Sequence, residues 1–149
     1  MGLITAQEIY TNTSMGGNVD PDKFNHIIRD IQVLVLEPIL GTALYDKIVT
    51  DFNEGSTNNL AGDYLTMFND YIKPVLWHSC YADYLRDGVI LARNGGIITH
   101  NPTDGSPSNS DDIKYVAKRA QSKADTYIER LERFLCDQDI PEYKDSQPN

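Results

Sequence analysis

The sequence is poor in the residues that do chemistry. Its 149 positions include two cysteines, three histidines and one tryptophan. Cys80 lies in the densest apolar stretch, so a buried thiol is expected rather than a disulfide to Cys136, and with it a reducing cytoplasm. His78 and Cys80 are two apart, which on a helix turns them to different sides and prevents them from clamping one metal. His26 stands alone beside an amphipathic stripe, and His100 falls among turn formers. Asp20, Asp22 and Asn25 superficially match a calcium loop but lack its glycine and its closing bidentate glutamate, so they read as helix-capping acids. There is no pair of Glu-x-x-His motifs, no phosphate-cradling loop and no serine elbow. No enzyme is expected: no catalytic residue, no metal ligand and no cofactor is assigned.

Positive charge is scarce as well. Thirteen Lys and Arg face 22 Asp and Glu, for a net charge of −9 and a pI near 4.6. A protein that grips nucleic acid by its phosphates needs a basic patch. The densest basic region, Lys114 to Arg133, is interrupted by acids along the sequence. The acidity therefore reads as solubility, or as a surface that does not hold DNA. No run of about 18 uncharged apolar residues occurs: the best candidate, Ile27 to Leu44, carries Arg29, Asp30 and Glu37. No membrane span and no secretory signal are expected.

What the sequence does have is helical periodicity. From Asp63 to Arg93 the apolar residues Tyr64, Met67, Phe68, Tyr71, Ile72, Val75 and Leu76 recur at spacings of three and four. From Val75 to Leu85 the apolar character wraps most of the way round, with Trp77, Cys80, Tyr81, Ala82 and Tyr84. Such a helix must be surrounded by others, which makes it the central pillar. Pro74 inside it predicts a kink, or two helices meeting at Lys73-Pro74.

Around the pillar the signals are these. Thr5-Ala6-Gln7-Glu8 is a capping box opening a short helix to about Tyr10, and Thr11 to Val19 is a polar loop. Asp20-Pro21 starts a second helix, whose stripe of Phe24, Ile27, Ile28, Ile31, Leu34 and Val35 should end near Glu37-Pro38. Leu40-Gly41 makes a corner into a helix bearing Leu44, Tyr45, Ile48, Val49 and Phe52, followed by an exposed turn from 53 to 62. Asn94-Gly95-Gly96 ends the pillar, and Ile97-Ile98-Thr99-His100-Asn101 with the turn formers after it suggests a small β-hairpin-like arm. A lone hairpin needs its own body or another chain to pair with. Ser108 or Ser110 caps a last long helix, whose stripe runs from Ile113 and Val116 through Ala117, Ala120, Ala124 and Leu131 to Leu135. Ile140 to Asn149, with Pro141 and Tyr143, reads as an extended tail. The expected fold is all-α: a bundle of four to five helices with a hairpin-like arm at 94–110 and an extended C-terminal tail. Residues 1–19 form an N-terminal extension, 20–136 the helical domain and 137–149 the tail.

The run from Gln32 through Leu36-Glu37-Pro38-Ile39-Leu40-Gly41 to Leu44-Tyr45, then Tyr71-Ile72-Lys73-Pro74 and Asn94-Gly95-Gly96-Ile97, carries a resemblance. Over about residues 20–136 the chain looks like the head–tail connector (adaptor ring) proteins of tailed bacteriophages, crAss-like phages in particular. That resemblance implies a structural virion protein, made in the bacterial host cytoplasm and residing in the neck or tail. It implies a ring, commonly of twelve copies, that joins the portal to the tail and meets the portal protein and neighbouring ring proteins. Genomic DNA would pass through its channel without specific binding. By the same carry-over Asn94, Gly95, Gly96, Ile97, Ile98, Thr99, His100 and Asn101 belong to an inter-subunit arm. Ile140, Pro141 and Tyr143 belong to a partner-binding tail, Leu40, Gly41, Leu44 and Tyr45 to the corner packing, and Pro74 shapes the pillar. Strand addition between subunits suits an arm of this size, and a closed ring needs two different faces on each copy. At −9 per copy, self-repulsion should weaken assembly at low salt. The alternative is a small helical protein-binding module without ring assembly.

Overall fold

The computed structural model describes residues 2–15, 21–53, 59–93 and 108–145. Among them there are six helices and no strand. The first, α1 (Ala6–Asn12), begins on the expected capping box: the Glu8 N–H donates to Thr5 Oγ1 at 3.2 Å, and the Thr5 N–H donates to Glu8 Oε2 at 2.9 Å. The residues before and inside it are no appendage. Leu3, Ile4, Ala6 and Ile9 are all buried and belong to the same core as the rest of the chain.

The second helix, α2, runs Asp22–Ile31, passes through a π-helical turn at Gln32–Leu36 and ends with Glu37–Leu40. Sequence reasoning ends it at Glu37-Pro38; the structure carries it through. In the π turn the Glu37 N–H reaches the Gln32 carbonyl, five residues back. The turn is one residue wider, which makes room next to Pro38, whose ring would clash with the carbonyl four residues back in a tight α-helix. The π turn also changes which residues face inward. The step from buried Ile31 to buried Leu36 is five residues, where an α period would have buried Leu34 or Val35. Leu34 is 70% exposed and Val33 51%, so the expected stripe is corrected there.

The same device recurs in the pillar, α4, made of Asp63–Met67, a π turn at Phe68–Ile72 and Lys73–Arg93. Here the Lys73 N–H bonds to the Phe68 carbonyl, and Pro74 follows. One helix passes over Pro74 through this turn, in place of two helices meeting there. Leu36-Glu37-Pro38-Ile39-Leu40 and Ile72-Lys73-Pro74-Val75-Leu76 thus occupy equivalent places in two helices, with Leu36, Leu40, Ile72 and Leu76 all fully buried.

Between these helices lies α3 (Thr42–Asn53). The corner before it is made by Gly41, at φ 83° and ψ 155°, a region that only glycine occupies at low cost. Its N–H donates to the Glu37 carbonyl at 2.8 Å, and its carbonyl accepts from the Tyr45 N–H at 3.0 Å, so the chain turns without orphaning either group. Gly41→Ala is expected to cost about 1–3 kcal/mol through backbone strain. A denaturant midpoint equal to wild type would mean that the corner relaxes to ordinary dihedrals. After α3, the expected exposed turn holds a core residue: Leu60 is 4% exposed.

The fifth helix, α5 (Ser108–Asp137), packs along the pillar. Ala117, Ala120 and Ala124 are buried on its inner face, where small side chains let two helices approach closely, and Leu131 and Leu135 extend the seam. Val116, placed in the stripe by its spacing, is 40% exposed at the edge of that face. The chain then departs from the extended tail expected of it. Ile140 is 1% exposed in the core, and α6 (Pro141–Asp145) follows as a short helix against α3. The apolar Ile140 side chain anchors this segment, since burying it recovers transfer free energy that a solvated tail would forgo. The arm expected at 94–110 falls mostly outside the described residues; its last three, 108–110, belong to α5.

The pillar is central, as its all-round apolarity implies: α1, α2 and α5 all pack on α4. Phe24 of α2 ties three of these helices together, edge-on to Tyr10 of α1 at 5.9 Å and stacked on Tyr84 of α4 at 5.1 Å.

Candidate functional site

The residues singled out in the sequence divide into three sets. Asn94 to Asn101 lie outside the described residues. The corner set is structural and packed: Leu40 and Leu44 are fully buried. Its polar link is Gln32, 4% exposed, which accepts from the Leu3 N–H at 2.7 Å and whose amide donates to the Tyr45 hydroxyl at 3.4 Å. One side chain thus joins the N-terminal segment to α2 and α3. Of the tail set, Ile140 is committed to the chain's own core, Pro141 is exposed and Tyr143 is half-buried against the core.

Near that last segment the Tyr64 hydroxyl donates to Glu142 Oε1 at 2.5 Å. Burial first, and then this bond to a carboxylate, push the Tyr64 phenol up to about 12. Lys47 lies 4.8 Å from the Tyr64 ring and pairs with Asp51 at 2.9 Å, so α6 is held to α3 and α4 by a small polar cluster.

Cys80 is fully buried, and burial pushes its thiol well up, away from the reactive thiolate. Both cysteines are free thiols. Among the described residues no three His, Cys, Asp or Glu are grouped to hold a metal ion. No helix among them is long and apolar enough to cross a membrane.

The surface feature that does stand out lies along the seam of α4 and α5. His78 stacks face to face on Tyr127, centroids 4.8 Å apart and planes 2° from parallel. The Arg130 guanidinium sits 4.9 Å from the Tyr71 ring and 5.9 Å from Tyr127, and Tyr71 in turn packs on Phe134 at 4.5 Å. A hollow of 420 Å³ opens over His78, Lys123, Tyr127 and Arg130, and a second of 230 Å³ over Tyr71, Arg130, Arg133 and Asp137. Burial, and then the nearby Lys123 ammonium, lower the His78 pKa from its ordinary 6.5. A histidine that resists protonation when folded contributes stability above pH 6.5, and that contribution is lost as pH falls below it. His78→Phe keeps an aromatic ring on Tyr127 and removes the titration. It should flatten the fall in melting temperature between pH 7 and pH 5; a slope as steep as wild type would assign that acid sensitivity elsewhere.

Sequence reasoning missed this surface because it read the 114–133 region as a line. At about 100° per residue, Lys123 and Arg130 share one flank of α5, Asp125, Glu129 and Glu132 share another, and Arg133 falls between the two, about 60° from Arg130 and about 40° from Glu129. A helical wheel would have separated them. All six are exposed, and among the described residues no carboxylate pairs with the three cations within 4.0 Å.

Among the described residues this is a small all-α protein. The chain belongs to the family of unknown function DUF6712, whose model matches residues 36–149. No curated protein matches the chain, and no solved structure does.

Proposed function

We propose that this protein is a structural ring subunit of a tailed-phage neck, joining the portal to the tail around the DNA channel. The observation that carries the reading is the order of elements along the chain. A stripe-bearing helix ends in a Leu40-Gly41 corner, then come the Leu44-Tyr45 helix, the long helix over Pro74, the glycine-led segment 94–107 and the last long helix. This is the succession implied by the resemblance to head–tail connector proteins, and its marker residues are packing residues. In this reading the copies, twelve in the related rings, meet through two different faces, and the segment 94–107 is the hairpin-like arm that pairs with a neighbour. The residues that surround it in sequence are the ends of the two longest helices, which give such an arm a stiff base.

Sedimentation and light scattering, with and without the portal protein, test the reading: large closed oligomers are expected. Deleting 97–107 should leave helical circular dichroism unchanged and abolish those oligomers. Assembly that survives the deletion would remove the arm from the contact. A chain that stays monomeric in every condition, portal present, would be a helical binding module instead.

A further inference from the structure

The last long helix divides into three faces about 120° apart. One is the buried face of Ala117, Ala120, Ala124 and Leu131. The second is the cationic flank of Lys123 and Arg130 beside the stacked aromatics of α4, the third is the anionic flank of Asp125, Glu129 and Glu132, and Arg133 stands on the ridge between them. Between residues 123 and 133 the cations lean to one open side and the acids to the other, so this stretch is complementary to a parallel copy of itself, with Asp137 the acid that closes the cationic side. We propose that the cationic seam of one copy receives the anionic flank of α5 from a second copy, making the heterologous contact between subunits. This rests on the ring reading above.

Geometry supports the pairing. In a closed ring, equivalent helices stand at equal height and run in the same direction. Where α5 stands along the ring axis, a rise of about 1.5 Å per residue puts Lys123 about 3 Å in height from the neighbour's Asp125. By the same measure Arg130 falls between the heights of Glu129 and Glu132, and Arg133 close to that of Glu132. The match is confined to the C-terminal half of the helix, because Lys114 and Lys118 precede the acids on the anionic flank. Arg130 is already held by Tyr71 and Tyr127, so it enters the contact with little rotamer freedom left to lose. A second copy suits the seam better than a DNA backbone does. The cations occupy half of one helix on a chain of net charge −9, and long-range repulsion opposes a polyanion. A neighbouring copy brings three carboxylates at matching heights.

Two variants test this in the full-length chain. Lys123→Glu with Arg133→Glu reverses charge on the cationic side while sparing the stacked Arg130, and Glu129→Lys with Glu132→Lys reverses it on the anionic one. The control, Lys23→Glu with Arg29→Glu, makes the same change in net charge as the cationic-flank variant, on exposed residues of α2. Each flank variant alone should weaken association at least tenfold by sedimentation, on the portal template if wild type needs one, with unchanged melting temperature. The control should not. An equimolar mixture of the two flank variants should restore association, since each now complements the other on both sides.

Flank variants that associate like wild type, or a mixture that stays apart, would overturn the contact and leave the ring reading standing. A wild-type chain that never associates, portal present, would overturn both. If wild type binds duplex DNA, and the cationic variant loses that binding while still assembling normally, the seam belongs to a phosphate backbone and not to a second copy.

Discussion

Leu3→Ala lowers the free energy of unfolding by about 2–5 kcal/mol, the range for truncating a fully buried leucine. Leu3 is 1% exposed and sits in the core with Ile4 and Ile9. The alanine keeps the backbone bond to Gln32 Oε1, so the loss is one of packing: transfer free energy plus whatever cavity the neighbours fail to fill. The neighbourhood has little slack. A methyl group added at Gly2 would lie 2.9 Å from the Ile4 carbonyl oxygen and 3.0 Å from an Ile28 side-chain carbon. Urea denaturation followed by circular dichroism measures the shift. A change within about 0.5 kcal/mol, as at an unconstrained surface position, would mean that the first residues are a loosely attached extension after all.

Phe24→Ala is expected to cost more, about 3–5 kcal/mol. The ring is 0% exposed, and it is the meeting point of α1, α2 and α4 through Tyr10 and Tyr84. Removing it opens a cavity that three helices would have to close together, which their fixed crossing resists. The two aromatic contacts, each worth about 0.5–1.5 kcal/mol beyond area, disappear with it. Phe24→Leu keeps most of the volume and forfeits the aromatic contacts, so it should fall between alanine and wild type. If Phe24→Ala unfolds at the wild-type denaturant concentration, the packing of α2 on the pillar is not as described here.

Much of the fold was legible because its signals are local. Thr5 and Glu8 are three residues apart, and their reciprocal bonds need nothing beyond that spacing. The alanines at 117, 120 and 124 fall on one face by period alone and are all buried. The apolar wrap of the pillar demanded neighbours on several sides, and it has them. Where reading failed, the cause was the assumption of one constant period. Two π turns each insert a residue ahead of a proline. Every apolar residue counted across the turn in α2 is then displaced, which is why Leu34 faces solvent and Leu36 does not. In the 114–133 region charge was counted along the chain, so alternating signs cancelled, although the helix sorts them onto separate flanks.

The sequence alone determined that this is a helical protein, where most of its helices begin and which of them is central. Those properties follow from caps, prolines and periodicity within a few residues. Only the tertiary structure decided that Leu3, Leu60 and Ile140 belong to the core, and that Gln32 is buried with its amide satisfied from two directions. Leu3, Leu60 and Ile140 sit in short stretches with no period to read, and Gln32 lies at the π turn, where the α period breaks. The burial of each depends on surfaces contributed from elsewhere in the chain, sometimes dozens of positions away.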